Sequence, residues 1–168
     1  MNEENNYLMR RVILDWGLPE SIKENEDDVV FKFDDNGLVN TLEKGYHCRN
    51  GDVKFCLYNK INGKALFSMD FHKSNPTIAN LRKRGVGINL ELLYVHDESL
   101  RKKGISNYYI EKLINYAIHE KVECIYVRPN ANATNFLHDS KKNSLSQREL
   151  EEFYNKRSTK EMPIEFDI

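Results

Sequence analysis

The sequence lacks a large net charge, a long apolar run and any repeated segment. Among its 168 residues, 25 Lys and Arg stand against 26 Asp and Glu, which leaves a formal net charge of -1. Such a balance gives no overall positive field, so we expect neither DNA wrapping nor attachment to an anionic membrane. No stretch approaches the roughly 20 apolar residues that span a bilayer, and the first residues lack the basic and apolar regions of a signal peptide. These absences predict a cytoplasmic protein.

Cysteine is scarce as well. The three cysteines, Cys48, Cys56 and Cys124, are an odd number without C-x-x-C spacing, and each falls in an apolar run typical of a strand. We therefore expect buried free thiols. A metal site built on His47 and Cys48 is less favoured, because adjacent strand residues point to opposite faces.

The chain has the length and the hydrophobic content, 40%, of one compact domain that spans residues 1–168. Its first helix is predicted over residues 3–16, where Leu8, Val12 and Trp16 recur at helical spacing before Gly17. An acidic linker follows, and three Asn-Gly pairs then separate short β-rich runs in the pattern of hairpins. The predicted strands of this antiparallel meander are residues 29–33, 45–49, 53–59 and 64–72.

The hydrophobic period changes in the second half of the chain. After a polar, basic connection at residues 73–87, the pattern predicts a strand at 88–95, a helix at 104–120 and a strand at 122–127. Strand, helix and strand in succession favour a parallel pair with a crossover helix, so the predicted fold class is α/β with a mixed sheet. Ser146 and Glu149 form a capping box that opens a final helix. Residues 163–168 are predicted as an edge strand able to pair with a second subunit in a homodimer.

The most informative stretch is residues 92–106, LLYVHDESLRKKGIS, which joins a strand end to a helix start. Its loop is rich in main-chain N–H groups and basic side chains, and Gly104 permits close approach to the backbone. A helix N-terminus favours anions, whereas Lys102 and Lys103 oppose its dipole unless an anion is present. The stretch is therefore a candidate cradle for a diphosphate, and the alternative is a solvated pair of lysines at a helix start.

This order of elements resembles motif A of the GCN5-related N-acetyltransferase family, in which an apolar-aromatic-Val strand end precedes Arg/Gln-x-x-Gly-x-Gly/Ala and a long helix. Arg101, Gly104 and Ser106 occupy the three motif positions, and Ser106 departs from the Gly or Ala usual there. The resemblance covers residues 29–168 and includes Phe153-Tyr154-Asn155-Lys156, which is similar to the family's F-Y-x-K segment. It implies the family's acyl-coenzyme A N-acyltransferase fold.

The resemblance also implies that acetyl-coenzyme A is the cofactor. Its pantetheine arm would bind the main chain at the strand end, and its diphosphate would bind the loop and helix start. Asn130 coincides with a family Asn that contacts the pantetheine arm, but an Asn at that place is equally an ordinary turn residue. The coenzyme-binding residues implied in this way are Leu93, Tyr94, Val95, Arg101, Lys102, Lys103, Gly104, Ile105, Ser106 and Asn130.

Two residues are candidates for acid-base catalysis. Glu91 is a lone carboxylate in an apolar strand, where the family often has a Glu, and burial would make it a better proton acceptor. Tyr154 aligns with the family Tyr whose hydroxyl points at the coenzyme sulfur, so it is the expected general acid. The alternatives are an outward-facing Glu91 and a Tyr154 that only packs beside Leu150 and Phe153.

The resemblance thus predicts an enzyme that transfers an acetyl group from acetyl-coenzyme A to an amine of a small molecule or protein, by direct attack. Two alternatives remain open. One is an acetyltransferase toxin that acts on aminoacyl-tRNA, for which Arg82-Lys83-Arg84 offers basic side chains. The other is a non-catalytic acyl-coenzyme A sensor or interaction module that keeps the coenzyme pocket without acid and base.

Overall fold

A computed structural model of the chain describes residues 3–33, 53–131 and 141–167. Within these ranges the strands form a six-stranded sheet, and their order across the sheet follows their order along the chain. The first four strands are antiparallel to their neighbours, whereas the fourth, fifth and sixth are parallel. The strands are β1 (Val29–Phe33), β2 (Val53–Asn59), β3 (Lys64–Lys73), β4 (Gly87–Val95), β5 (Cys124–Val127) and β6 (Ile164–Phe166). The predicted mixed α/β sheet is therefore confirmed.

The helices agree closely with the predicted ones at both ends of the chain. They are α1 (Glu3–Trp16), α2 (Glu20–Lys23), α3 (Pro76–Leu81), α4 (Ile105–His119) and α5 (Gln147–Arg157), with 3-10 turns at Glu26–Asp28 and Glu98–Leu100. The capping box of α5 is confirmed, because Ser146 Oγ accepts from the Glu149 N–H at 3.2 Å and the Glu149 carboxylate accepts from the Ser146 N–H.

Two segments predicted as irregular contain short helices. The acidic linker holds α2, and the basic connection at residues 73–87 holds α3. The side chain of Asn75 caps α3 by accepting from the Thr77 N–H at 2.8 Å, and Pro76 occupies the first turn. A helix of only six residues shows too few turns for a hydrophobic period to appear, so the sequence pattern does not reveal it.

The helix α4 is the predicted crossover between the parallel strands β4 and β5. Its apolar stripe, including Tyr109 and Leu113, is fully buried against the sheet, where the Tyr109 ring stacks on Phe67 with centroids 4.8 Å apart. Trp16 of α1 stacks on Phe71 of β3, with centroids 5.8 Å apart. Full burial of a large apolar side chain contributes roughly 1.5–3 kcal/mol, so this layer fixes α4 on the sheet.

The predicted strand at 122–127 begins two residues later than expected. Lys121 adopts a left-handed conformation with φ 57°, and the Val122 N–H donates to the Ala117 carbonyl at 3.3 Å. These two residues complete the turn that ends α4. The strand β5 therefore has four residues, all buried.

The strand β6 lies at one edge of the sheet, next to β5, as the sequence predicts for an edge strand. Its parallel direction follows from α5, which crosses over between β5 and β6 in the way that α4 does between β4 and β5. The homodimer expected through this edge stays a prediction.

Cys56 and Cys124 are buried free thiols, as expected, and burial raises the pKa of Cys124. The third cysteine, Cys48, its neighbour His47, the strand predicted at 45–49 and the Asn-Gly pairs at 36–37 and 50–51 lie outside the described residues. In the ranges that are described, no cluster of His, Cys, Asp and Glu could hold a metal ion. No helix in those ranges is long and apolar enough to cross a membrane.

Candidate functional site

A gap between β4 and β5 is the central feature of the candidate site. In the described residues, β5 pairs with residues 87–90 of β4 and with no later residue of that strand. At the same place the β3–β4 register shifts, since Asp70 pairs with Leu92 whereas Phe71 pairs with Leu90. Glu91 is therefore the extra residue of a β-bulge, which bends a strand and increases its twist. Beyond Leu90, β4 continues along β3 without β5 beside it.

The main chain of Leu93 and Val95 faces this gap. The His96 N–H donates to the Leu66 carbonyl of β3 at 2.9 Å. Because main-chain groups alternate in direction along a strand, those of Leu93 and Val95 point the opposite way, toward the open side. The Val95 carbonyl accepts from Arg101 Nε at 3.1 Å. Leu93 thus presents main-chain groups to the gap, as an added extended segment requires.

A cavity of about 360 Å³, here called the motif cavity, opens at this end of the gap between β4, the start of α4, α5 and the segment 141–145. It brings together nine of the ten residues that the resemblance assigns to the coenzyme. The tenth, Lys103, is exposed and does not line it. The nine that line it are Leu93, Tyr94, Val95, Arg101, Lys102, Gly104, Ile105, Ser106 and Asn130.

The charged side chains that line the described part of the motif cavity are all positive. Arg101, Lys102, Lys141 and Arg157 line it, and the described lining includes no Asp or Glu. Arg157 is held in place by donating from Nε to Asn107 Oδ1 at 2.7 Å, and its guanidinium lies 3.7 Å from the centre of the Phe153 ring. A cavity with cations and without carboxylates suits an anionic ligand.

Arg101 connects two walls of the motif cavity, and its contact with the coenzyme stays a prediction. Its side chain is buried, with 7% of the residue exposed. Its guanidinium donates to the carbonyls of Val95, His96 and Lys142 and to the Tyr94 hydroxyl, at 2.8–3.4 Å. Arg101 therefore ties the end of β4 to the segment 141–145, and it shapes the motif cavity by holding two of its walls together.

The N-terminus of α4 lies in the lining of the motif cavity. Gly104 is its N-cap residue, with φ 85°, and no side chain caps this end. A Cβ built on Gly104 would have no other atom within 4 Å, so the space beside this backbone is open. The 15-residue helix has no acidic residue in its first turn, which leaves its N–H groups and dipole available to an anion.

Lys102 reaches this region from a left-handed backbone conformation, with φ 61°. Such a conformation is costly for a residue with a side chain, so the tight turn from Lys102 to Gly104 stores strain. The turn places Lys102 in the lining of the motif cavity while Lys103 faces solvent.

Tyr154 does not line the motif cavity in the described structure. On α5, Leu150, Phe153 and Arg157 line the motif cavity, whereas Tyr154 belongs to the core and is 6% exposed. Burial raises the pKa of its phenol above the ordinary value. The packing expected of Tyr154 beside Phe153 is present, with ring centroids 5.2 Å apart, and its role as general acid stays a prediction.

Glu91 lies in the lining of a second cavity, of about 640 Å³, which we call the arginine cavity after Arg82, Arg84 and Arg128 in its lining. Of the two orientations left open for Glu91, the structure has the outward-facing one: its side chain is 54% exposed, at the bulge of β4. Its carboxylate lies 3.9 Å from His72 Nδ1. Glu91 is thus an accessible carboxylate beside a histidine, and its role as general base stays a prediction.

Several residues of both cavities have no signal in the sequence. Lys141 and Arg157 of the motif cavity, and His72 of the arginine cavity, come from segments far from the motif at residues 92–106. A local pattern cannot reveal them, because only the sheet topology brings these segments together. The sequence signals for the arginine cavity were Glu91 and the basic run Arg82-Lys83-Arg84.

No protein-family model matches this sequence, and no curated protein matches it either. The function is therefore inferred from the two cavities, from the gap between β4 and β5, and from the motif that joins them.

Proposed function

We propose that the chain is an acyl-coenzyme A-dependent N-acyltransferase, which transfers the acetyl group of acetyl-coenzyme A to an amine. One observation carries this proposal. The gap beyond Leu90 opens directly onto a cavity that is lined by cations, free of carboxylates in its described part, and bounded by the N-terminus of α4.

The residues present fit the coenzyme. Its diphosphate would lie at the turn formed by Lys102 and Gly104 and at the first N–H groups of α4, where the helix dipole and the lysine favour an anion. Lys141 and Arg157 supply further positive charge from the opposite wall. The main-chain groups of Leu93 would hold the extended arm in the manner of an added strand.

The bound coenzyme would supply an activated thioester. The contribution of this chain is to orient the amine, to accept a proton from it at the Glu91 carboxylate, and to keep water out. The acetyl group would pass from the coenzyme sulfur to the amine nitrogen, and the released thiolate would need a proton. Tyr154, whose raised pKa keeps its phenol protonated, is the proposed donor of that proton.

A second candidate function is a coenzyme-binding module without catalysis. It is favoured by the position of Tyr154, which lies in the core and lines neither cavity. In that case the motif cavity would bind the coenzyme while no amine reacts.

Calorimetric titration with acetyl-coenzyme A, followed by a thiol-release assay with a panel of amines, tests the proposal. We expect binding in the micromolar range and thiol release with at least one amine class. Lys102→Glu should weaken binding at least tenfold, because it places a negative charge where the diphosphate would lie. Lys160→Glu is the matched control, since Lys160 is exposed and lines neither cavity.

The outcomes separate the alternatives. Absence of binding, or equal binding by the parent and Lys102→Glu, would overturn the coenzyme site. Binding without thiol release from any amine in the panel would favour the non-catalytic module.

A further inference from the structure

The arginine cavity has the size of a small-molecule site. Its volume of about 640 Å³ lies within the range of ligand pockets, roughly 300–1,000 Å³. It is lined by residues 89–91 of β4 and 126–128 of the β5 end, whereas the motif cavity is lined by residues 93–95 and 130–131 of the same two segments. The two cavities therefore follow one another along the place where β4 and β5 separate.

Positive charge is in excess in the arginine cavity. The described lining contains four cationic side chains and two carboxylates, a difference of two. The cationic residues are Lys73, Arg82, Arg84 and Arg128, and the carboxylates are Glu91 and Asp167. Since the whole chain has a formal net charge of -1, this excess is local to the cavity.

One carboxylate serves two of these arginines. Arg84 Nη1 lies 3.0 Å from Asp167 Oδ1, and Arg128 Nη2 lies 3.2 Å from Asp167 Oδ2. The Arg84 guanidinium is also fixed over the ring of Tyr126, 4.0 Å from its centre. Its Nε is buried, and in the described part of the chain no acceptor faces it. Arg84 is thus held in a fixed orientation in the cavity lining, with one N–H group that has no acceptor among the described residues. A planar guanidinium held in this way is suited to bind an anion.

Asn89 connects these arginines to the Glu91 end of the cavity. Arg84 Nη2 can only donate, so the amide group that faces it at 3.5 Å is the Asn89 oxygen. The Asn89 amide nitrogen then faces Ser74 Oγ at 3.0 Å and His72 Nε2 at 3.2 Å. Because Asn89 donates to Nε2, the ring proton of a neutral His72 resides on Nδ1, the atom that lies 3.9 Å from Glu91.

The cavity therefore has two unlike parts. Arg82, Arg84 and Arg128 provide a cationic part, and Glu91 with His72 provides a carboxylate part, with Asn89 between them. A ligand complementary to both carries an anion and an amine in one molecule.

We propose that the amine acceptor carries a carboxylate or phosphate group, which binds Arg82, Arg84 and Arg128 while its amine lies at Glu91. This inference rests on the proposed N-acyltransferase function and specifies its substrate class. A small molecule is favoured over a tRNA, because the cationic residues converge on a cavity of limited volume and the chain as a whole has no positive excess.

Thiol release with matched acceptors tests the inference. O-phosphoethanolamine is compared with ethanolamine, and β-alanine with β-alaninamide, so each pair differs by the anion. We expect kcat/KM to be at least tenfold higher for the anionic member of one pair, and the pair that responds identifies the anion as phosphate or carboxylate. Arg82→Glu should remove that preference through KM and leave the acetyl-coenzyme A affinity unchanged, since Arg82 does not line the motif cavity.

Equilibrium binding of O-phosphoethanolamine and β-alanine, measured by calorimetry without acetyl-coenzyme A, tests the same site independently of turnover. Tighter binding by the parent than by Arg82→Glu supports the inference even if no thiol is released, which would then count only against the enzymatic function. Lys160→Glu serves as the matched charge reversal outside both cavities.

Two results would overturn the inference while leaving the proposed function intact. One is equal efficiency with the neutral and anionic members of both pairs. The other is acetylation of an aminoacyl-tRNA with no binding of either anionic probe, which would make the cationic cluster an RNA contact.

Discussion

The guanidinium of Arg101 donates from Nη1 to the main-chain carbonyl of Lys142, 2.8 Å away, and joins two segments that are 41 residues apart in the chain. The same side chain donates to the carbonyl of Val95 at the end of β4. A single buried arginine therefore spans the motif cavity from its strand wall to its loop wall. These hydrogen bonds help to set the shape of the motif cavity.

Replacement of Arg101 should first lower stability. Arg101→Ala leaves several buried carbonyls without a donor, and we expect a loss of about 2–4 kcal/mol in the free energy of unfolding. Arg101→Lys keeps the charge but lacks the planar guanidinium with its several N–H donors. Its free energy of unfolding should therefore also fall by more than about 1 kcal/mol. Urea unfolding measures both. If Arg101→Lys were as stable as the parent but failed to bind acetyl-coenzyme A, the guanidinium would contact the ligand instead of the fold.

Lys102→Gly should separate binding from backbone strain. Glycine relieves the left-handed conformation at φ 61°, so stability should be kept or should rise by up to about 1 kcal/mol. Loss of the charge should weaken acetyl-coenzyme A binding by roughly fivefold, on the order of 1 kcal/mol of electrostatic interaction. Thermal unfolding without the coenzyme measures the change in stability, and the shift in melting temperature on adding the coenzyme measures the change in affinity.

Lys121→Gly is the matched control for Lys102→Gly. Lys121 has a similar φ of 57° at the end of α4, and it lines neither cavity. It should gain stability in the same way without any change in coenzyme affinity. An equal loss of affinity in both variants would show that the lysine charge at residue 102 is not specific to the site.

Glu91→Gln should lower turnover by roughly a hundredfold, because an amide cannot accept the proton that the amine must lose. Stability should be unchanged because the side chain is 54% exposed. Steady-state rates provide the measurement, with the exposed Glu161→Gln as control. Turnover equal to that of the parent would remove Glu91 from the mechanism.

Tyr154→Phe tests the proposed general acid. It keeps the ring in the core and removes only the hydroxyl, so the melting temperature should change little. Turnover should fall by roughly ten- to a thousand-fold, with coenzyme affinity unchanged. Because burial raises the pKa of Tyr154, its phenol stays protonated as the pH rises past about 10, the ordinary value. The parent should therefore show no alkaline loss of rate from this group below that pH.

Tyr109→Phe is the control for Tyr154→Phe, because it should lower stability without lowering turnover. The Tyr109 hydroxyl donates to the Gly17 carbonyl at 2.9 Å, so its removal should cost about 1 kcal/mol of stability. Turnover should remain at the parent level, since Tyr109 lies under α4 in the core.

Full activity in Tyr154→Phe would reject Tyr154 as the general acid and would leave water as the proton donor.

The sequence predicted the elements far better than the contacts between them. Hydrophobic period and the Ser146 capping box located α1, α4 and α5 within about two residues, because these signals are local. The strand, helix and strand succession predicted the parallel pairing of β4 and β5 for the same reason. The parallel direction of β6 was not predicted, since a three-residue strand has no pattern that encodes direction.

The lining of the motif cavity was predicted best where the motif is continuous in the chain. Eight of the ten residues that the resemblance assigns to the coenzyme line this cavity because the strand end, the loop and the start of α4 are neighbours in sequence, and Asn130 joins them from the end of β5. The exposure of Glu91 depends on a bulge that an alternating pattern does not show. The pairing of Arg84 with Asp167 links residues that are distant in sequence, and composition gives no sign of it.

The agreement between strand order and chain order bears on how the protein is made. Each strand can join the one synthesised just before it, so the sheet grows in the direction of translation and needs few distant encounters. The segment 141–145 and α5, which close the motif cavity, emerge only after five of the six strands. The walls of the motif cavity are therefore completed only after most of the sheet has been synthesised, and the last strand, β6, is added after them.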